Sequence, residues 1–245
     1  MLDKAAGTVE EDMNAHAFVN WQDQNRQWLP MPRQERRLAR IQRISGQDRQ
    51  PSDQSLRASA HRKAKQGDYM GAIALLTQLI TRHPKHAIDY NNRGLIYFQS
   101  GQGEKALADY NKALQLNPEL DSAYNNRANY YASHGKLGEA LTDYEMALDL
   151  NPGNTRTWIN QAITFRELGI YDLALENLDM ALMLGGLEEN IYAERGRTYH
   201  LRGDWNCAIA DYQRALTAMT QSGLVGRLRR NVETWMRELL KPLSA

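Results

Sequence analysis

From residue 53 to residue 222, apolar positions cluster at α-helical spacing, and the clusters recur every 34 residues. Residues 90–118 read YNNRGLIYFQSGQGEKALADYNKALQLNP and residues 124–152 read YNNRANYYASHGKLGEALTDYEMALDLNP. Residues 192–216, YAERGRTYHLRGDWNCAIADYQRAL, follow at twice that offset. Five units stand in register without a gap: 53–86, 87–120, 121–154, 155–188 and 189–222. Position 4 holds Leu56, Tyr90, Tyr124, Trp158 and Tyr192; position 8 is always small (Ala60, Gly94, Ala128, Ala162, Gly196); position 11 holds Lys63, Tyr97, Tyr131, Phe165 and Tyr199. These positions fall within one narrow arc of a helix, so each unit opens with an amphipathic helix. Glycine at position 15 of every unit ends that helix, because a left-handed C-cap costs glycine little. Alanine at position 20 of every unit and a large residue at position 24 (Leu76, Tyr110, Tyr144, Leu178, Tyr212) predict a second helix, which Pro84, Pro118 and Pro152 stop. Each unit is therefore a helix hairpin with a stripe it cannot bury alone, and stacking supplies the missing partner.

The 34-residue length and the glycine, alanine and proline positions resemble the tetratricopeptide repeat (TPR), over residues 53–222 of 245. The resemblance implies an all-α fold, a right-handed TPR α-solenoid of five helix hairpins. Lys63 in place of an aromatic residue, and Leu184-Gly185-Gly186 in place of a proline ending, are departures. The NNRG and NNRA segments look like those of bacterial, often cyanobacterial, repeat proteins, a photosystem-assembly factor among them. Residues 223–245 read as a C-terminal capping helix and tail, with Leu224, Leu228, Val232, Trp235 and Leu239 on one side and Arg227, Arg229, Arg230, Arg237 and Lys241 on the other. The alternative is a basic amphipathic helix lying on a membrane. Residues 1–52 do not fit the repeat; they read as an N-terminal extension, partly disordered or a short basic helix over 33–44.

Two positions vary together. Where position 7 is arginine, position 23 is aspartate: Arg93 with Asp109, Arg127 with Asp143, Arg195 with Asp211. Where position 7 is Gln161, position 23 is Asn177, and where it is Ser59, position 23 is Leu75. The pattern predicts contact between the two helices of a hairpin, as structural ion pairs.

In the family, the first helices line the inside of the superhelix, so the resemblance implies that partners dock there. Positions turned away from the stripe include 5, 6 and 9. They supply Asn91, Asn92 and Leu95 in the second unit, Asn125, Asn126 and Asn129 in the third, Asn160 and Ile163 in the fourth, and Arg197 in the fifth. Phe98 and Arg156 lie on the same side. An amide offers both donor and acceptor, so Asn92, Asn126 and Asn160 at repeat spacing predict a ladder that grips a partner's main chain. Similar ladders occur in peptide-binding members. The family's carboxylate clamp for a chaperone tail is incomplete. Arg57, His61 and Asn92 could serve in it, but Ser122 and Asn126 stand where two basic groups belong.

Composition removes other classes. Hydrophobic residues reach 42%, enough for a core, but no apolar run approaches a membrane span of about 20 residues. No secretory signal stands at the start, and the single Cys207 excludes an internal disulfide framework. A cytoplasmic or stroma-like location follows as the expectation, with peripheral attachment to a membrane complex as the variant. Net charge is +1, which gives no general bias towards nucleic acid, although Arg33, Arg36, Arg37, Arg40, Arg43 and Arg49 form a local basic run. No phosphate loop, HExxH or paired-cysteine motif occurs, so neither a cofactor nor a metal is expected, and catalysis is argued against. The expected function is a protein-interaction scaffold, an adaptor or complex-assembly factor. The alternatives are a peripheral subunit or assembly factor of a membrane-bound, photosynthetic-type complex, and an RNA-associated factor using the basic segment.

Overall fold

The computed structural model describes residues 51–223 and 226–240. The basic run Arg33–Arg49, and with it Leu224 and Lys241, lies outside the described residues. Eleven α-helices and no strand occur among those described. They are α1 (Asp53–Lys65), α2 (Tyr69–Arg82), α3 (Ala87–Gln99), α4 (Gly103–Leu116), α5 (Asp121–Ser133), α6 (Leu137–Leu150), α7 (Thr155–Glu167), α8 (Tyr171–Leu184), α9 (Glu188–Arg202), α10 (Trp205–Gln221) and α11 (Arg227–Leu239). The fold is all-α, a succession of helix hairpins. It divides into two compact units between Asn126 and Arg127.

Gly67, Gly101, Gly135, Gly169 and Gly203 all have φ between 70° and 95°. That is the left-handed region in which a Cβ is penalised, so the recurring glycine is what lets each first helix turn into its second. Several helix starts are capped from the sequence: the Ser52 hydroxyl accepts from the Ser55 N–H at 3.2 Å, and Asp68 accepts from the Gly71 N–H at 2.9 Å.

In the first unit, Leu56, Ala60 and Ala64 of α1 pack with Ala72, Ile73, Leu76 and Leu79 of α2 and with Leu95 and Ile96 of α3. Position 8 is small for a measurable reason. A Cβ on Gly94 would stand 2.7 Å from the Tyr110 ring, and one on Gly196 would stand 2.7 Å from the Tyr212 ring. The position-4 aromatics differ from the expectation of a buried stripe: Tyr90 and Trp158 are half-buried. Their polar tips explain this. The Tyr90 hydroxyl donates to the Pro84 carbonyl at 3.2 Å and the Trp158 indole N–H donates to the Pro152 carbonyl at 2.9 Å. Each ring thus ties a first helix to the loop that leads into it.

In the second unit, Ile159, Ala162 and Ile163 of α7 pack with Ala174, Leu178 and Ala181 of α8 and with Ile191 of α9. A further cluster joins Ala193, Ala208, Tyr212, Ala215 and Met219 to Val232 and Trp235 of α11, with Leu228, Met236 and Leu239 against it. Helix α11 therefore covers the last apolar surface of α9 and α10. The apolar side that a membrane-lying reading requires is packed inside the protein.

Candidate partner-binding face

The predicted scaffold pairs are close and bidentate. Arg93 Nε and Nη2 donate to the two oxygens of Asp109 at 2.7 and 2.8 Å. Arg127 does the same to Asp143 at 2.7 and 2.8 Å, and Arg195 to Asp211 at 2.7 and 3.1 Å. Asn177 Nδ2 donates to Gln161 Oε1 at 2.8 Å, the uncharged version of the same tie. The half-buried aromatic rings at positions 4 and 11 flank the cation: the Arg93 guanidinium lies 5.7 Å from both the Tyr90 and the Tyr97 ring centres. Burial lowers the Arg195 pKa, but its hydrogen bonds to Asp211 and Asp179 outweigh that and hold it above the ordinary arginine value.

The asparagine ladder is less open than helical spacing predicts. Asn126 is 1% exposed and its Nδ2 donates to Asn91 Oδ1 at 2.9 Å, while Asn91 Nδ2 donates to Ser122 Oγ at 3.4 Å. These amides bridge α3 to the start of α5. Asn129 accepts the Tyr144 hydroxyl at 2.6 Å, which gives a fully buried ring its polar partner. Asn125 and Asn160 are buried as well. Leu95 and Ile163 belong to the hydrophobic cores of their units. Arg197 lies 5.2 Å above the Trp235 ring and 3.7 Å from Glu238, so α11 holds it. Asn92, Phe98 and Arg156 keep half-buried positions on α3 and α7. Burial holds the Arg156 pKa below its ordinary value, the mark of a guanidinium partly withdrawn from water.

Two ion pairs with buried carboxylates also went unseen in the sequence. Asp89 is fully buried; it accepts from Arg57 Nε and Nη2, both at 2.7 Å, and lies 2.9 Å from His86 Nδ1. Arg57, one of the basic groups of the incomplete clamp, is thereby committed. Arg166 Nη1 donates to Glu194 Oε2 at 2.6 Å, joining α7 to α9. Both pairs join neighbouring hairpins, so no fixed spacing within one hairpin announces them. Among the described residues no cluster of three metal-ligating side chains occurs, and no helix is long and apolar enough to cross a membrane.

Hairpins closed by an internal arginine–aspartate tie, repeated in register and covered by a terminal helix, define a helical repeat scaffold. The tetratricopeptide repeat family matches residues 87–120 and 122–154 in one form and residues 55–86 in another. A tetratricopeptide repeat protein 36 homologue of Nematostella vectensis is 37% identical over 57 residues, which are 23% of this chain and 32% of that relative. The chain thus spans about a third of that relative's length. A thermophilic TPR protein of Thermus thermophilus superposes with a TM-score of 0.66 at 19% identity, over 76% of this chain and 100% of the other. The type IV pilus biogenesis factor PilW superposes at 0.65 with 17% identity, over 78% and 91%. Both likenesses are of fold. Residues 55–86, 87–120 and 122–154 thus carry tetratricopeptide repeats, within an all-α fold shared with solved repeat proteins.

Proposed function

We propose that this protein is an adaptor or complex-assembly factor that holds a segment of a partner protein along the first helices of its hairpins. Each unit offers contact positions of its own: Asn92 and Phe98 on α3 in the first, Arg156 on α7 in the second. The observation that carries this reading is that Asn92 and Phe98 on α3 and Arg156 on α7 stand half-buried on first helices. An amide, an aromatic face and a partly dehydrated cation suit a segment with an apolar anchor and a carboxylate.

A photo-crosslinking residue at position 92 or 98, compared with one at exposed Met70, tests it. One partner protein, identified by mass spectrometry, is expected at both first-helix positions and not at position 70. The same yield from all three positions would discard the proposal.

A further inference from the structure

Helix α8 is apolar on two sides. Ala174, Leu175, Leu178 and Ala181 are buried in the second unit. On the other side Leu173, Met180 and Leu184 are 40–43% exposed and Met183 is 81% exposed. Offsets of seven, ten and eleven residues put these four on one stripe. A second apolar stripe calls for a second partner, yet among the described residues this one faces out.

The repeat supplies its own control. At position 26 the second helices carry Gln78, Lys112, Met146, Met180 and Arg214; at position 29 they carry Thr81, Gln115, Asp149, Met183 and Thr217. Packing of the hairpin therefore does not call for an apolar residue at either place. Only α8 has one at both, and it adds Leu173 where the others have Gly71, Lys105, Glu139 and Cys207.

The border of the stripe is acidic. Helix α8 contains Asp172, Glu176 and Asp179 and neither lysine nor arginine. Arg202 and Arg195 approach Asp172 and Asp179, both at 2.6 Å, but the side chains remain 83% and 56% exposed. A second copy docked on this face by two-fold symmetry would set carboxylates against carboxylates. An anionic lipid surface meets the same repulsion. The charge-complementary occupant is a helix whose apolar stripe is edged with lysine and arginine. Methionine suits such a contact because its flexible thioether adapts to irregular partners.

We infer that the outer face of α8 is a second docking surface, which takes a basic amphipathic helix of a partner protein. It lies on a second helix, apart from the first-helix face proposed above, and goes beyond that reading.

The test uses the full chain and a fluorescent synthetic peptide of about 18 residues, leucine at helical i, i+3, i+4, i+7 spacing and lysine or arginine elsewhere. Fluorescence anisotropy is read for wild type, for Met180→Gln with Met183→Gln, for Leu173→Gln, and for Met70→Gln as an exposed control on α2. Binding is expected to weaken about tenfold in the paired methionine variant and measurably in Leu173→Gln. It should be unchanged in Met70→Gln and in Asn92→Ala, and absent for a scrambled peptide of the same composition. The substituted methionines and Leu173 are exposed, so thermal melts of these variants are expected to coincide with that of wild type. Equal binding by the methionine variant or by the scrambled peptide would overturn the inference. So would a stripe that proved to mediate self-association by sedimentation, or binding to phosphatidylcholine vesicles, in place of peptide capture.

Discussion

Arg127 holds Asp143 through two parallel hydrogen bonds across one hairpin, Nε to Oδ2 at 2.7 Å and Nη2 to Oδ1 at 2.8 Å, with the carboxylate side chain only 7% exposed. The planar guanidinium matches the carboxylate, and the pair is sixteen residues apart, from α5 to α6. Such a pair does not have to add much net stability over apolar side chains to be costly to break, because removal of one member strands a buried charge.

Arg127→Ala is expected to lower stability by about 3 kcal/mol, whereas exposed Arg230→Ala should stay within about 0.5 kcal/mol. Arg127→Lys should recover only part of the loss, since an ammonium cannot make the fork. Urea midpoints measure all three. Equal midpoints for Arg127→Ala and Arg230→Ala would show that the pair carries no weight.

The tyrosines at position 24 separate a satisfied hydroxyl from an unsatisfied one. Tyr144 and Tyr110 are both buried; the first donates to Asn129, while the Tyr110 hydroxyl has no hydrogen-bond partner among the described residues. Position 9 explains the difference, being Asn129 in one hairpin and Leu95 in the other. Tyr144→Phe should therefore cost about 1 kcal/mol, and Tyr110→Phe should be neutral or stabilising. Thermal unfolding of the two variants, with a larger loss for Tyr110→Phe, would reverse the assignment.

The contrast between these ties and the asparagine ladder shows what a single sequence reveals here. Positions 7 and 23 could be paired because the chain repeats the experiment on itself: arginine meets aspartate three times and Gln161 meets Asn177 once. The left-handed glycines were equally legible, because backbone conformation is a local property. Burial of Asn91 and Asn126 was not. A helical wheel says which way a side chain points from its own helix, and nothing about what the next hairpin brings against it. The same limit hid the hold of α11 on Arg197, which depends on Trp235 nearly forty residues away.

Asp89 makes stability depend on acid. Burial pushes its carboxyl up, but the Arg57 hydrogen bonds, with His86 close by, outweigh that and leave the pKa below the ordinary value. A depressed native pKa stabilises above the unfolded value of about 3.9 and is lost as pH falls through the native value. Asp89→Asn should thus be clearly less stable than wild type at pH 6, and the gap should narrow below about pH 4. Denaturant titrations at pH 6, 4 and 3 give the comparison; a gap independent of pH would assign the loss to packing alone.

Trp235 carries much of the terminal cap. It is 7% exposed against Tyr212 and receives the Arg197 guanidinium on its ring. Trp235→Ala is expected to cost about 3 to 5 kcal/mol, with early hydrogen exchange in α9 to α11 while α1 and α2 stay protected. Uniform loss of protection along the chain would contradict a local cap.

The ties at sixteen-residue spacing close within single hairpins, so duplication or deletion of one 34-residue segment would carry both members together. Repeat number can then change without separating the members of these ties, although Arg195 also reaches Asp179 of the preceding hairpin. Arg57–Asp89 and Arg166–Glu194 behave differently, since each joins one hairpin to the next. A rearrangement falling between those partners would leave a buried carboxylate without its arginine, a costly state that a further substitution would have to relieve.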